Sequence, residues 1–236
     1  MTELLFLKDS YIREFDSVVK EVNGKFVVLD QTAFYPNGGG QPNDIGEFVT
    51  QSGEKFEVLF VKKMGADVSH EVNKEGLREG EIVHGSLNWD TRYRYMRYHT
   101  AAHILAAVIH RKTGAKISGN QIALDKTRVD FNLEKFDREQ IGDFLREVNG
   151  IIGSGVDVII EDMDRDDAFK IPDVVKLRDL LPPAIEKIRI VTIMGVDKQA
   201  CGGTHVSNTK EIGPIEIVKA ENKGLSNRRI YFVLKE

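Results

Sequence analysis

Hydrophobic and polar residues alternate with a period of two through the first 88 residues. The segments DSVVKEV and KFVVLD flank Asn23-Gly24, a pair that favours a tight hairpin turn. The pattern repeats over residues 46–63 around Ser52-Gly53, and short strands are expected at 68–72 and 81–87. No helical periodicity interrupts these segments. The pattern therefore predicts a first domain, residues 1–88, that is a small closed or nearly closed β-barrel.

The pattern changes at Asp90, which is a suitable N-cap for a long helix. TRYRYMRYHTAAHILAAVIHRK contains neither Gly nor Pro, and Thr113-Gly114 should end the helix. A second helix is expected from Asp137, which with Gln140 has the spacing of a capping box. Segments rich in β-branched residues predict strands near residues 121–124, 127–132, 156–161, 188–193, 215–220 and 229–234. Residues 89–236 are therefore predicted to form an α+β domain with helices on a largely antiparallel sheet.

The composition is that of an ordinary globular chain, with 41% hydrophobic and 30% charged residues. The formal net charge of -4 excludes a histone-like binder, so a nucleic-acid partner requires a local basic patch. The single cysteine, Cys201, excludes a disulfide scaffold. The N-terminus lacks a basic leader region and no run of eighteen apolar residues occurs, so we predict a cytoplasmic protein without membrane association.

Two pairs of metal-binding residue types share one spacing. His99 and His103 stand four residues apart on the predicted helix and therefore face the same side, and Cys201 and His205 repeat the spacing on a Gly-rich loop. Three imidazoles and one thiolate suit one Zn²⁺ per chain better than Mg²⁺ or Ca²⁺. The alternative is a buried structural cysteine beside unrelated histidines. A catalytic zinc would need an open or displaceable position, so one of the four residues would bind weakly or not at all, and His205 or Cys201 is the candidate for that residue.

The helix lacks the glutamate of the HExxH peptidase motif, because Thr100 follows His99 and the helix carries no carboxylate beyond Asp90. A peptidase is therefore excluded. A zinc ion without a neighbouring base suits the hydrolysis of a labile bond such as an activated ester.

A Gly-rich motif lies in the β domain. Its three consecutive glycines, Gly38, Gly39 and Gly40, are followed by Gln41 and Pro42. Pro42 is incompatible with the helix that a Rossmann fingerprint or a P-loop requires. Successive glycines indicate positive φ angles or a close approach of backbone, and an ordinary barrel turn is an equally good interpretation.

Basic residues are concentrated between Asp90 and Asp125, where no acidic residue occurs. Tyrosines are interleaved with them, and a second basic group falls at the last predicted hairpin. Such elements could bind phosphates or stack a terminal base, or their aliphatic stems could pack inside the protein. The basic residues are Arg92, Arg94, Arg97, Arg111, Lys112 and Lys116 in the first group and Lys223, Arg228 and Arg229 in the second.

Three segments together resemble a known family. TAFYPNGGGQPNDIG, RYHTAAHIL and CGGTHV, in this order, are similar to the editing domain of alanyl-tRNA synthetases and to the freestanding alanyl-tRNA editing proteins of the AlaX type, in their medium-length form. A similar metal-bearing domain occurs in threonyl-tRNA synthetases, but the GGGQ segment indicates the alanine branch. Family members often have HTATH where this chain has HTAAH, which leaves the ligands intact.

The resemblance implies hydrolysis of the ester in tRNA for alanine that carries serine, with glycine as a second candidate. It implies that Thr32 pairs with the serine hydroxyl, that Gln41 and the three glycines lie near the substrate, and that zinc positions the aminoacyl group or its attacking water. The tRNA would be bound by Arg92, Arg97, Arg111, Lys112, Arg228 and Arg229. No nucleotide cofactor is expected, and the protein would be a monomer or homodimer. A zinc-dependent esterase or amidase for small molecules and a non-catalytic RNA-binding module remain alternatives.

Overall fold

The structure is a computed structural model that describes residues 1–134, 137–171, 174, 186–224 and 226–235, with Arg138 described by its backbone alone. The chain divides into two compact units. The first comprises Met1–Met96 with Ile122–Leu124, and the second comprises Arg97–Gln121 with Asp125–Glu236. The division falls within a helix, and the domain boundary after residue 88 stays a prediction.

The first unit contains a closed barrel of six strands in the order β2, β3, β7, β6, β5 and β8. Most buried residues of the strands are apolar, among them Phe15, Val19, Phe48 and Phe56. The predicted barrel is therefore confirmed. The elements of this unit are β1 Glu3–Leu4, α1 Leu5–Lys8, β2 Glu14–Asn23, β3 Phe26–Leu29, β4 Gln31–Thr32, β5 Gly46–Thr50, β6 Lys55–Met64, β7 Asp67–Val72 and β8 Ile82–Leu87.

Two features of the barrel require glycine. Gly24 has φ of 60° in the predicted turn between β2 and β3, a left-handed conformation that the hairpin demands. Gly85 lies against the ring of Phe15, and a Cβ atom at this position would stand 2.7 Å from two ring carbons. The ring can fill the barrel only because that side chain is absent.

A long helix, α2, runs over Trp89–Thr113. Its N-cap is Asn88 and not the predicted Asp90: the Asn88 Oδ1 atom accepts a hydrogen bond from the Thr91 backbone N–H at 3.1 Å, while Asp90 lies in the first turn. The predicted end of the helix is confirmed. Gly114 has φ of 73°, and its N–H donates to the carbonyl of His110 at 2.7 Å.

The described residues of the second unit combine helices with two sheets, whose strand orders are β14, β15, β10, β9 and β11, β12, β13. The registered pairs in these sheets are antiparallel, which confirms the predicted α+β class. The elements are β9 Ile117–Ile122, β10 Thr127–Phe131, α3 Arg138–Ser154, β11 Val158–Asp164, α4 Arg165–Ala168, β12 Lys187–Ile193, β13 Asp197–Ala200, a 3-10 helix Thr209–Ile212, β14 Ile215–Asn222 and β15 Arg228–Leu234.

Helix α3 begins at the predicted capping box and is attached to the sheet by one side-chain amide. Asp137 and Gln140 form the predicted capping box, and Gly155 ends the helix in a left-handed conformation. The Asn149 side chain then bonds both backbone groups of Ile215 at the start of β14, at 3.0 Å to the carbonyl and 2.9 Å from the N–H. This amide fixes the helix against the edge of the sheet. Among the described residues, no helix is both long and apolar enough to cross a membrane.

Candidate functional site

The four predicted metal ligands come together in the second unit. His99 and His103 lie on α2, Cys201 and His205 lie on the loop after β13, and their ligand atoms are all within 4.8 Å of one another. The Cys201 Sγ atom is 3.6 Å from Nε2 of His99 and 3.3 Å from Nε2 of His205. A tetrahedral zinc site with the usual bond lengths places neighbouring ligand atoms about 3.3–3.6 Å apart. The donor set and these two sulfur–nitrogen distances therefore fit one zinc ion.

The loop that carries Cys201 is held by backbone contacts. The Cys201 N–H donates to the carbonyl of Arg189 on β12 at 3.2 Å, and the Arg189 guanidinium donates to the Cys201 carbonyl at 2.5 Å. The Gly203 N–H points back to the Cys201 sulfur at 3.4 Å. These bonds hold the backbone of Cys201 and contact its sulfur. Which ligand would leave a coordination position open stays a prediction.

The electrostatics favour the metal-binding forms of two ligands. Burial raises the pKa of the Cys201 thiol, but the charge of His99 and hydrogen bonds from His103 and His205 outweigh it, so the pKa falls well below its usual range. Burial lowers the pKa of His205 to about 3, which keeps that imidazole neutral. Burial also lowers the pKa of His103, but Asp197 and Cys201 outweigh it and raise the pKa to about 10. A metal ion would displace the His103 proton on binding.

Two residues that the sequence analysis missed orient His103. The Nδ1 atom of His103 lies 3.0 Å from Oδ2 of Asp197 and 2.9 Å from the side-chain nitrogen of Gln199, which donates its own hydrogen to the same Asp197 oxygen at 2.6 Å. A carboxylate only accepts, so Nδ1 of His103 carries the hydrogen and Nε2 is left for a metal. Both partners lie on β13, whose sequence DKQA shows no apolar alternation and so gave no strand signal. The only sequence clue was a carboxylate four residues before Cys201.

The predicted specificity residue, Thr32, lies in the first unit at the end of β4 and has no exposed surface. Its hydroxyl oxygen is 2.9 Å from Nε2 of His70 and accepts the Phe34 backbone N–H at 3.1 Å. His70 is also fully buried, and its Nδ1 atom lies 3.1 Å from the carbonyl of Val27. Sequence reasoning did not identify His70, which occurs as an isolated histidine in a strand. Gln41 is fully buried in the same unit.

The Gly-rich motif forms a tight turn in the first unit. The N–H of Gly38 donates to the carbonyl of Gln41 at 3.1 Å and the N–H of Gln41 donates back at 2.9 Å. The central residues Gly39 and Gly40 have φ of 59° and 84°, which confirms the expectation of positive φ. The Tyr35 hydroxyl donates to the Gly38 carbonyl at 3.0 Å and further fixes the turn. A contact between these glycines and a substrate stays a prediction.

Arg92 does not lie on the surface. Its side chain and that of Asp44 are both 0% exposed and form an ion pair, in which the Arg92 Nε atom is 3.0 and 2.9 Å from the two carboxylate oxygens. The remaining nitrogens donate to the carbonyls of Ser10 and Ala33. This burial contradicts the prediction of a tRNA contact at Arg92, because the guanidinium is enclosed and already bonded.

Three other predicted tRNA contacts, all arginines, form hydrogen bonds within the protein. Arg228 is only 6% exposed and donates to carbonyls of its own hairpin, which contradicts a phosphate contact there as well. Arg97 donates twice to the carbonyl of Ile212, and Arg229 forms a bidentate pair with Asp130 at 2.7 and 2.9 Å.

Arg111 and Lys112 are the most exposed of the predicted tRNA contacts. Their side chains are 51% and 37% exposed and share one carboxylate, that of Glu147. Two positive charges against one negative charge leave a net positive charge at this end of α2, which is where an anionic ligand would find an accessible cation.

Comparison with known proteins supports the resemblance seen in the sequence. The family model of the "threonyl and alanyl tRNA synthetase second additional domain" matches residues 188–231, which include Cys201 and His205, and that of "tRNA synthetases class II (A)" matches residues 4–91. The alanyl-tRNA editing protein AlaX-M of Methanosarcina barkeri is 46% identical over 99% of both chains. That of Saccharolobus solfataricus is 45% identical over the full length of both.

The chain belongs to the family of freestanding alanyl-tRNA editing proteins. It is also 38% identical to the alanine–tRNA ligase of Thermococcus kodakarensis, but all of the chain matches only 26% of that enzyme. The chain therefore corresponds to about a quarter of a much longer ligase.

Proposed function

We propose that this protein hydrolyses the ester that joins a wrongly attached serine to tRNA for alanine, and that it does so with a bound zinc ion. Glycine is the second candidate residue. Membership of the editing family makes the chain an aminoacyl-tRNA hydrolase that acts on mischarged tRNA for alanine. The observation that carries the zinc-dependent mechanism is the compact set of three imidazoles and one thiolate in the second unit.

The need for such an enzyme follows from the chemistry of selection. A pocket built for alanine rejects serine weakly, because serine adds only one hydroxyl group to the same skeleton. A second site that pairs with that hydroxyl can recognise the error after attachment. An aminoacyl ester is also a labile bond, so its hydrolysis requires a smaller rate acceleration than the cleavage of an amide.

The metal would be held by His99, His103, Cys201 and His205. When bound, zinc supplies Lewis-acid chemistry that polarises a carbonyl group and can lower the pKa of water. The protein's own contribution is orientation: Asp197 holds the ring of His103, and the Thr100 hydroxyl lies 3.1 Å from Nδ1 of His205. These contacts keep the ligand nitrogens directed at one point, which lowers the entropy cost of binding the ion.

Serine recognition is assigned to the hydroxyl of Thr32, as the family resemblance implies. Because Thr32 is fully buried, a serine hydroxyl would meet it only after the surrounding residues open around the substrate. The backbone of tRNA would be met by the exposed cations at the end of α2, Arg111 and Lys112. Arg92 and Arg228 are buried and are not expected to contact the tRNA.

The test is deacylation of tRNA for alanine charged with serine, glycine or alanine, measured side by side. We expect serine to be removed fastest and alanine slowest, and removal of zinc to slow the serine reaction. Equal rates on all three would contradict the proposal. Activity on small esters without tRNA would identify a general esterase, and tRNA binding without any hydrolysis would identify a binding module.

Replacement of Thr32 tests the assignment of serine recognition. Thr32→Val keeps the shape of the side chain and removes its hydroxyl, so the serine hydroxyl would be buried without a partner at a cost of about 1–3 kcal/mol. Serine removal should slow by several-fold to about a hundred-fold, while alanine removal is unchanged or slightly faster. Equal slowing of both would mean that Thr32 supports the catalytic geometry instead.

A matched control is available in the same unit. Thr50 is another buried threonine, whose hydroxyl bonds to Ser52 and Glu54 in the turn after β5. Thr50→Val should alter stability without altering the ratio of serine to alanine hydrolysis.

A further inference from the structure

His70 is a buried titratable residue that the proposed function does not yet use. It lies on β7 in the core of the barrel, where its ring meets those of Phe34 and Phe48 edge-on, with centroids 5.8 and 5.4 Å away. Its two nitrogens have one hydrogen-bond partner each: the Val27 carbonyl at Nδ1 and the Thr32 hydroxyl at Nε2. An apolar residue would fill this place in the core at lower desolvation cost, so the buried imidazole indicates a role beyond packing.

The two contacts determine where the hydrogen of the ring lies. The Val27 carbonyl can only accept, so Nδ1 of His70 must carry the hydrogen and donate it. Burial lowers the pKa of His70 to about 4, so the ring holds no second proton at neutral pH. Nε2 is therefore a lone pair, and the Thr32 hydroxyl must be the donor in the 2.9 Å bond between them.

This direction fixes what Thr32 can still do. Its only hydroxyl hydrogen is given to His70, and one oxygen lone pair accepts the Phe34 N–H. A hydroxyl oxygen has two lone pairs, so one lone pair remains. In this state Thr32 can accept a further hydrogen bond but cannot donate one.

We propose that His70 is the positioning residue for specificity, which holds the Thr32 hydroxyl as a pure acceptor and so selects an aminoacyl group with a hydrogen-bond donor on its β-carbon. This inference rests on the proposed function. Serine has such a donor, whereas glycine and alanine do not. The proposed Thr32 site therefore separates serine from alanine.

Nitrogen NMR of the unaltered protein tests the first step without any variant. The ¹⁵N shifts of His70 at pH 7 should show a protonated Nδ1 and an unprotonated Nε2. A protonated Nε2 would overturn the proposal, because Thr32 would then be the acceptor and its own hydrogen would be free.

A double-mutant cycle tests the second step. His70→Phe keeps an aromatic ring in the core but offers no acceptor, so the Thr32 hydroxyl is free to rotate. We expect the ratio of serine to alanine hydrolysis to fall about tenfold in His70→Phe. In the Thr32→Val background the same change should leave the ratio unaltered, since no hydroxyl remains to be oriented. A merely structural role for His70 would instead lower the rates on both substrates to a similar extent in both backgrounds.

The outcomes separate the two proposals. If Thr32→Val leaves the ratio intact, serine is recognised elsewhere and the assignment of Thr32 fails. If Thr32→Val lowers the ratio but His70→Phe does not, only the role of His70 is overturned. His70→Gln provides a second variant: its amide can both donate and accept, so it should retain more of the ratio than His70→Phe. An equal loss in the two variants would contradict the role of the acceptor.

Discussion

The buried ion pair between Arg92 and Asp44 gives a stability prediction that separates a structural role from tRNA binding. Arg92→Met keeps most of the volume of the stem and removes the charge. It leaves the Asp44 carboxylate buried without its counter-charge and takes a donor from the carbonyls of Ser10 and Ala33. Breaking a fully buried pair in this way costs about 3–5 kcal/mol. Since two carbonyls also lose a donor, we expect the upper part of that range.

The measurement is urea unfolding followed by fluorescence. Trp89 is the single tryptophan of the chain and lies in the first unit with the ion pair, so its emission reports on the affected part of the molecule. With a slope of about 2 kcal/mol per molar urea, the loss corresponds to a fall of about 2 M in the midpoint. The change is a large fraction of the stability of an ordinary domain.

Two variants control for other effects. Arg94 lies two residues further along α2 and donates to the Leu124 carbonyl in a partly exposed position, so Arg94→Met should cost about 1 kcal/mol or less. The double variant Arg92→Met with Asp44→Leu removes both charges and should recover part of the loss. If Arg92→Met left the midpoint unchanged but weakened tRNA binding and its salt dependence, the structural interpretation would be refuted and Arg92 would be a phosphate contact.

Three further predictions concern the metal and the tRNA. Protein purified without added metal should contain close to one zinc per chain, and His99→Ala with His103→Ala should abolish it in elemental analysis; full retention would refute the ligand assignment. Asp197→Ala should weaken zinc binding about 10–100-fold in a chelator competition, because the His103 ring loses its orienting partner, and unchanged affinity would show that the contact is incidental. Charge reversal at Arg111 and Lys112 should lower the affinity for tRNA. It should also reduce the slope of log affinity against log salt concentration by about one unit for each lost phosphate contact. If neither the affinity nor the slope changed, this end of α2 would be excluded as a tRNA-binding surface.

Local patterns in the sequence were sufficient for most of the fold. The period of two over the first 88 residues predicted the barrel, and Asn23-Gly24 predicted its first hairpin, because these signals arise from neighbouring residues. The capping box of Asp137 and Gln140 predicted the start of α3 in the same way. The strand β9 was placed several residues too late and β13 was missed, since Ser118, Gly119 and Asn120 and the segment DKQA show no apolar alternation.

Half of the candidate metal site could also be predicted from a local pattern, the spacing of two histidines on one helix. A spacing of four on a helix puts His99 and His103 on one face whatever the tertiary structure is. The meeting of that pair with Cys201, about a hundred residues later, was inferred from residue chemistry and family resemblance, and the folded second unit brings the atoms together.

Only the tertiary structure decided the roles of Arg92 and His70. A charge in the sequence does not reveal whether it faces water or a buried partner, and the partner of Arg92 is Asp44, 48 residues away. The same holds for Thr32 and His70, which are 38 residues apart and meet only in the folded first unit. The direction of their hydrogen bond depends in turn on a third group, the Val27 carbonyl. Periodicity records which side of an element faces the core, whereas hydrogen-bond partners inside that core are set by long-range packing.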